Sequence, residues 1–456
     1  MPKLGSTIGW DCEMKKSIPY LLFAVILVVI LIAVKYWQNS HRVEDNLEIE
    51  VSNIYLPSDD SIRTPGKSSS ICIYMENSGS MDGYVNVNSE FKDALGKIIV
   101  KSYNFSKSTN LFFVNDNIYD VQETALKGDV NNFVSQLNAK NMKVGATGSS
   151  NINKIFKMVI DKTNSDTISI IFSDFVYSIK GTDVSNQISN AKNTTMGAFM
   201  EAIKKDPNFA TIILQCSSQF QGKYYDRSDM PIAYSGTRPY YIFIMGNYDR
   251  LIDLDKQLEL NNSSTGIPGY LNKYILTSKF WKLNENTVKI LTNSYTNSDL
   301  IKPARNDYDV DFFKFSDSED CWSFAYALGL SNLFVDGSYL TDKNNYVIEP
   351  NDVKLVKAEY TKDQTALSEV SQFKAPLVLQ FQTDNLTKIS NLKVRLENRI
   401  PSWVTLSNIS DDKGVVPSPN QTFAIGSLIE GVYEAYKSNL EKNPIFEFEI
   451  QIKKYK

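Results

Sequence analysis

The chain has 456 residues, with 48 basic against 52 acidic side chains, 42% apolar residues, four cysteines and one histidine. Its length exceeds one typical domain, its composition is that of a folded protein, and the absence of a basic surplus excludes a nucleic-acid-binding surface as its organising feature. His41 is the sole histidine, so a Ser-His-Asp triad, a Cys-His pair or a His-ligated zinc would have to be built on it, and no enzyme of those classes is expected. Cys12, Cys72, Cys216 and Cys321 form no CxxC pair, which argues against a zinc ribbon and a disulfide scaffold alike.

In chain order, residues 1–17 read as a cytoplasmic N-terminus and 18–37 as a single transmembrane helix. Residues 18–34 carry no charge, and Tyr36 and Trp37 close the run as an interfacial anchor. A buried core helix and a cleaved signal peptide are the alternatives. The run is longer than a signal h-region and exits through Lys35, Tyr36 and Trp37 rather than a small-residue cleavage site. Lys3, Lys15 and Lys16 precede it while Lys35 and Arg42 follow, a bias that places the N-terminus inside and the acidic body outside the cytoplasm. Residues 38–69, with Pro57, Pro65 and Gly66, read as a tether, in which Leu47, Ile49 and Val51 alternate with Glu48 and Glu50 as a short strand would.

Over 70–258 strand and helix patterns alternate. Short apolar runs at 71–75, 111–114, 168–172, 211–214 and 240–245 have the length of buried strands, and a short strand near 118–121 would pair with the second. Phe91, Leu95, Ile98 and Ile99 recur at helical spacing behind Ser89, and Ile152, Ile155, Phe156 and Val159 behind Ser149 or Ser150. This alternation predicts an α/β domain, doubly wound around a mainly parallel sheet. Cys72 and Cys216 fall in its first and fifth strands, two strand spacings apart and too far for a disulfide. Residues 217–237, with Tyr224, Tyr225, Arg227 and Tyr234, read either as a loop or hairpin over a sheet edge or as a partner-contact loop. Residues 259–309 are a connecting region. From 310 to 456 the alternation at 377–381, 392–396 and 446–452, with one amphipathic stripe at 425–436, predicts a β-rich module containing at least one helix.

The first strand runs into Glu76, Asn77, Ser78, Gly79 and Ser80; Gly145, Ala146, Thr147 and Gly148 precede a helix; the strand at 168–172 runs into Ser173 and Asp174. Ser-Gly-Ser alone is ordinary turn chemistry. In a doubly wound sheet, however, the ends of the first and fourth strands meet at the switch point, which would gather two carboxylates and several hydroxyls into a hard oxygen site suited to Mg²⁺, Mn²⁺ or Ca²⁺.

In these residues the chain resembles the von Willebrand factor A domain, the fold shared with integrin inserted domains, over about residues 68–258. The family's metal-ion-dependent adhesion site is written DxSxS, then a distant Thr, then a distant Asp. The resemblance implies metal ligation by Ser78, Ser80, Thr147 and Asp174, with Glu76 standing where the family has Asp. It further implies that an acidic side chain of a protein partner completes the shell of a Mg²⁺; with the membrane helix and no histidine near the cluster to act as a general base, the expectation is a membrane-anchored, non-enzymatic binding protein. The alternative is a metal-free envelope scaffold whose contacts are made by the C-terminal module.

Overall fold

β1 (Ser70–Glu76), β2 (Ser108–Val114), β3 (Ile118–Asp120), β4 (Thr167–Ser173), β5 (Phe209–Tyr225), β6 (Pro231–Asn247) and β7 (Tyr270–Thr277) pair into one sheet ordered β3-β2-β1-β4-β6-β5-β7. The computed structural model describes residues 69–454 except 125, 128–129, 149, 261–264, 297–300, 304–309, 313–320, 332, 385–388 and 441–443. The expected N-terminus, the membrane helix at 18–37 and the tether up to residue 68 lie outside the described residues. Among the described residues no helix is long and apolar enough to cross a membrane.

The sheet is mixed. β2, β1 and β4 run parallel at its core, whereas β3 on β2, β6 on β4, β5 on β6 and β7 on β5 are antiparallel. The expectation of a mainly parallel sheet therefore holds only for the core. β5 and β6 are joined by a short turn over 226–230, and strands joined by a short turn must pair antiparallel because no crossover intervenes. The inserted β6 also separates β5 from β4, so Cys72 and Cys216 stand three strand spacings apart rather than two, about 14 Å. Both are free thiols.

Helices cover both faces of the sheet: α1 (Asp82–Val85), α2 (Glu90–Phe105), α3 (Val130–Gln136), α4 (Ile152–Lys162), α5 (Val184–Lys205) and α6 (Tyr248–Leu258). Because side chains alternate along a strand, Ile71, Ile73 and Met75 face α2 and α6, while Tyr74 faces the opposite core with α4 and α5. The Ser89 hydroxyl accepts the Lys92 N–H at 3.3 Å and caps α2 as its spacing predicts. For α4 the cap is Asn151, accepting the Lys154 N–H at 3.0 Å, which leaves Ser150 available for another role.

The remainder carries β8 (Trp281–Lys282), β9 (Val288–Leu291), β10 (Ile301–Pro303), β11 (Val310–Phe312), β12 (Trp322–Leu328), α7 (Gly337–Thr341) and β13 (Tyr346–Glu349). It continues through β14 (Lys354–Tyr360), α8 (Gln364–Glu369), β15 (Leu377–Thr383), β16 (Asn391–Glu397), α9 (Ser402–Ser407), β17 (Asn408–Ile409), β18 (Thr422–Phe423), α10 (Ile425–Lys437) and β19 (Pro444–Lys454). A four-stranded sheet, β14-β15-β12-β9, and a second one, β10-β11-β19-β16-β13 with β8 beside β19, share one apolar core. Tyr326 of the first meets Phe448 of the second at 6.4 Å between ring centroids.

Two parts of this region belong to the larger sheet's packing. β7, from the stretch read as a connection, is that sheet's edge strand, pairing with β5 from Ala210 to Cys216. α10, from the β-rich region, lies on α5 with Ile425, Leu428, Ile429, Val432 and Tyr436 buried in the same core as α4. Its Gly431 permits that approach, since a Cβ there would come within 2.6 Å of the Lys192 carbonyl oxygen on α5.

Candidate functional site

At the carboxyl ends of β1 and β4 the chain leaves the sheet through two adjacent turns, and a narrow cleft of about 30 Å³ opens between them. Its lining includes Glu76, Ser78 and Ser80 from the first turn, Ser150 from the loop before α4, Asp174 from the second turn, and Tyr225, Asp226 and Asp229 from the β5–β6 hairpin. Glu76, Ser78 and Asp174 are buried. The first and fourth strands are neighbours as predicted, which is why residues nearly a hundred positions apart meet here.

A buried polar frame shapes the first turn. The Asn77 side-chain amide donates to the Met142 carbonyl at 2.7 Å and to the Val144 carbonyl at 3.0 Å. Asn115 at the end of β2 donates to Asn77 Oδ1 at 2.9 Å and to the Val144 carbonyl at 2.7 Å. The Gly79 N–H then donates to the Thr147 carbonyl at 3.1 Å. Together these bonds pin the 142–147 loop beside the serines.

Glu76 Oε1 accepts the Ser78 N–H at 2.9 Å and the Ser150 hydroxyl, and the Ser173 hydroxyl lies 3.4 Å from Oε2. The Glu76 side chain therefore folds back over its own turn. The Ser78 and Ser80 hydroxyls are 3.0 Å apart, and Asp174 Oδ1 accepts the Val176 N–H at 3.2 Å. Burial, reinforced by the like charge of Asp174, pushes the Glu76 carboxyl up to about 7, against the opposing pull of its serine donors. Burial raises Asp174 as well. Two buried carboxylates side by side repel, so each disfavours the charged form of the other.

Three of the nearby cations pair with carboxylates other than Glu76 and Asp174, while the buried Arg238 guanidinium favours the ionised form of Asp174. Lys143 pairs with Asp82 at 2.7 Å, Lys180 with Asp229 at 2.8 Å and Arg227 with Asp411 at 2.6 Å. Buried Arg238 donates to the carbonyls of Pro417 and Gln421, each at 3.1 Å. Among the described residues no lysine or arginine lines the cleft.

Of the five residues singled out in the sequence, Glu76, Ser78, Ser80 and Asp174 line the cleft. Thr147 is not among the lining residues and meets the first turn through its carbonyl. Ser150 stands there instead, three positions on, and the Asn151 cap is the signal that could have released it from the helix. The hairpin carboxylates Asp226 and Asp229 were missed altogether, because only the antiparallel pairing of β5 with β6 brings the turn over the strand ends.

The donor set is oxygen only, two carboxylates with serine hydroxyls, and it carries excess negative charge. Such a set favours a hard divalent cation over a thiolate- or imidazole-seeking metal. Among the described residues no three His, Cys, Asp or Glu side chains gather as a metal cluster; this cleft would rely on hydroxyls to complete the shell. Set against protein-family models, curated proteins and solved structures, the chain matches none.

Proposed function

We propose that this protein is a membrane-anchored, von Willebrand A-like binding protein in which Glu76, Ser78, Ser80, Ser150 and Asp174 hold a Mg²⁺ that captures an acidic side chain of a protein partner. The observation that carries the reading is the pair of buried carboxylates beside two serine hydroxyls at the switch point, whose charge no lysine or arginine among the described lining residues neutralises by contact. A divalent cation supplies that neutralisation and, where few charged oxygens hold it, keeps exchangeable positions for an incoming carboxylate. The chain's own residues fix the serine turn through Asn77 and Asn115 and orient Glu76 through Ser150. A cavity of about 30 Å³ has room for a cation or one or two waters, which favours ion-mediated binding over turnover of an organic substrate. The apolar run at 18–37 supports the anchor, and its flanking lysines support a body outside the cytoplasm.

The test uses the full chain in detergent, melted with Mg²⁺ or Mn²⁺ and with EDTA. Binding to the native state alone adds about 2.7 kcal/mol at a hundredfold excess of metal over its dissociation constant, and elemental analysis should find one metal per chain. Pull-down from native membranes should then retain an acidic partner with Mg²⁺ and lose it with EDTA or in Asp174→Asn, while protease added outside intact cells digests the body. Identical melting curves with no bound metal would leave the A-like region as a scaffold. A partner lost only on deleting 310–456 would assign the contacts to the β-rich region.

A further inference from the structure

We propose that the tip of the β5–β6 hairpin, residues 225–230, is a lid on the cleft, latched by residues 411–414, and that a partner side chain reaches the site only when the latch opens. The inference rests on the proposed function for what enters the cleft, but the lid itself rests on geometry.

The hairpin outruns its sheet. Ladder pairing of β5 with β7 ends at Cys216, and that of β6 with β4 ends at Tyr241, so residues 217–240 continue as a two-stranded ribbon. The root of this ribbon is fixed by apolar packing. Phe220 is buried against Tyr84 at 5.0 Å between ring centroids, and a Cβ on Gly83 would stand 2.2 Å from the Phe220 ring. The tip, in contrast, is held mainly by polar contacts. Tyr225 lies over the serine turn, where a Cβ on Gly79 would be 3.3 Å from its Cε2, and Asp226 and Asp229 close the same side of the cleft.

Two polar clasps hold the tip down. On one side the Ile179 N–H donates to the Arg227 carbonyl at 2.6 Å, while Ser178 and Lys180 both hold Asp229. On the other, Asp411 pairs with Arg227 Nε, Asp412 accepts the Arg227 N–H at 3.0 Å and the Tyr224 hydroxyl, and the Gly414 N–H donates to Asp226 at 2.8 Å. In this closed arrangement Asp174 is 5% exposed and Glu76 1%. The space left suits an ion or water and excludes a protein side chain reaching through it. Lifting the tip removes Tyr225, Asp226 and Asp229 from the lining while the carboxylates and serines below stay on the sheet.

The experiment loads the full chain with Mn²⁺ and follows its loss to EDTA in wild type, Asp411→Ala and Tyr225→Ala. The first variant removes a side chain that is itself exposed; the second removes the ring over Gly79. Losing the one charged hydrogen bond from exposed Asp411 to Arg227 should speed Mn²⁺ release by about two- to fivefold, and Tyr225→Ala should speed it as well. Trypsin, applied to the metal-free chain, should spare the buried Arg227 in wild type and cleave after it in Asp411→Ala, with melting temperatures of the variants close to wild type. Unchanged release rates together with an uncleaved Arg227 in both variants overturn the lid. A wild type that binds no Mn²⁺ overturns the metal reading instead, and the trypsin comparison then decides the lid by itself.

Discussion

Glu76 concentrates the site's electrostatics in one side chain. Its carboxyl, ordinarily near 4.5, is pushed up to about 7 by burial and by Asp174. A group whose folded pKa lies above its unfolded value binds its proton more tightly in the fold, so the stability it contributes is complete below about pH 4.5. That contribution is lost as pH rises through 7, a change of about 3 kcal/mol for a shift of this size. The metal-free protein should thus become less stable in urea between pH 5 and pH 8, and Glu76→Gln should flatten most of that slope. Equal slopes in wild type and variant would show that Glu76 titrates normally. In the presence of Mg²⁺ the wild-type trend should diminish or reverse, because metal competes with the proton and binds better as the carboxyl ionises.

Among the elements, β7 shows how the β-rich region is secured to the larger sheet. Lys273 on this strand is buried with Asp255 of α6 at 3.2 Å and lies 3.9 Å from Asp336. Asp336 in turn accepts the Ser338 N–H and caps α7. Burial raises the Asp255 carboxyl, and the attraction of Lys273 opposes that rise. Lys273→Met keeps much of the apolar stem but strands a buried charge, a loss of about 3–5 kcal/mol when one partner of a buried pair is removed. Chemical denaturation would measure it. If Lys273→Met were as stable as wild type, the carboxylates would have to be neutral or hydrated without the lysine.

For the whole molecule, the consequence is cooperativity. The second face of the large sheet is completed by α10, whose Ile425, Leu428, Ile429, Val432 and Tyr436 are fully buried there. The buried Tyr436 hydroxyl also meets the Thr211 hydroxyl of β5 at 2.8 Å. Each such apolar side chain contributes about 1.5–3 kcal/mol when withdrawn from water. A fragment covering 70–258 should consequently bind a hydrophobic dye and lack a sharp melt, whereas 69–456 should unfold in one transition seen alike by fluorescence and circular dichroism. A cooperative, dye-free 70–258 fragment would make that region independent of residues 259–456.

Periodicity in the sequence determined part of the element list: the apolar runs lie within β1, β2, β4, β5 and β6, and the stripes at 91–99 and 425–436 lie in α2 and α10, whereas α5, α6 and β7 were not read. The elements read were legible because side-chain period is a local property, set by backbone geometry and burial on one face. Four of the five candidate site residues were legible for a related reason, since each ends a strand or opens a turn whose direction the strand fixes. The pairings of β1 with β4 and of β2 with β3 were also expected, but the tertiary structure alone decided the other neighbours. The insertion of β6 between β4 and β5, the recruitment of β7 and α10 to the large sheet, the substitution of Ser150 for Thr147 in the cleft and the hairpin closing over it all depend on contacts between distant segments. Such contacts are set by which apolar faces cover one another, and a single chain's local pattern carries that information only weakly.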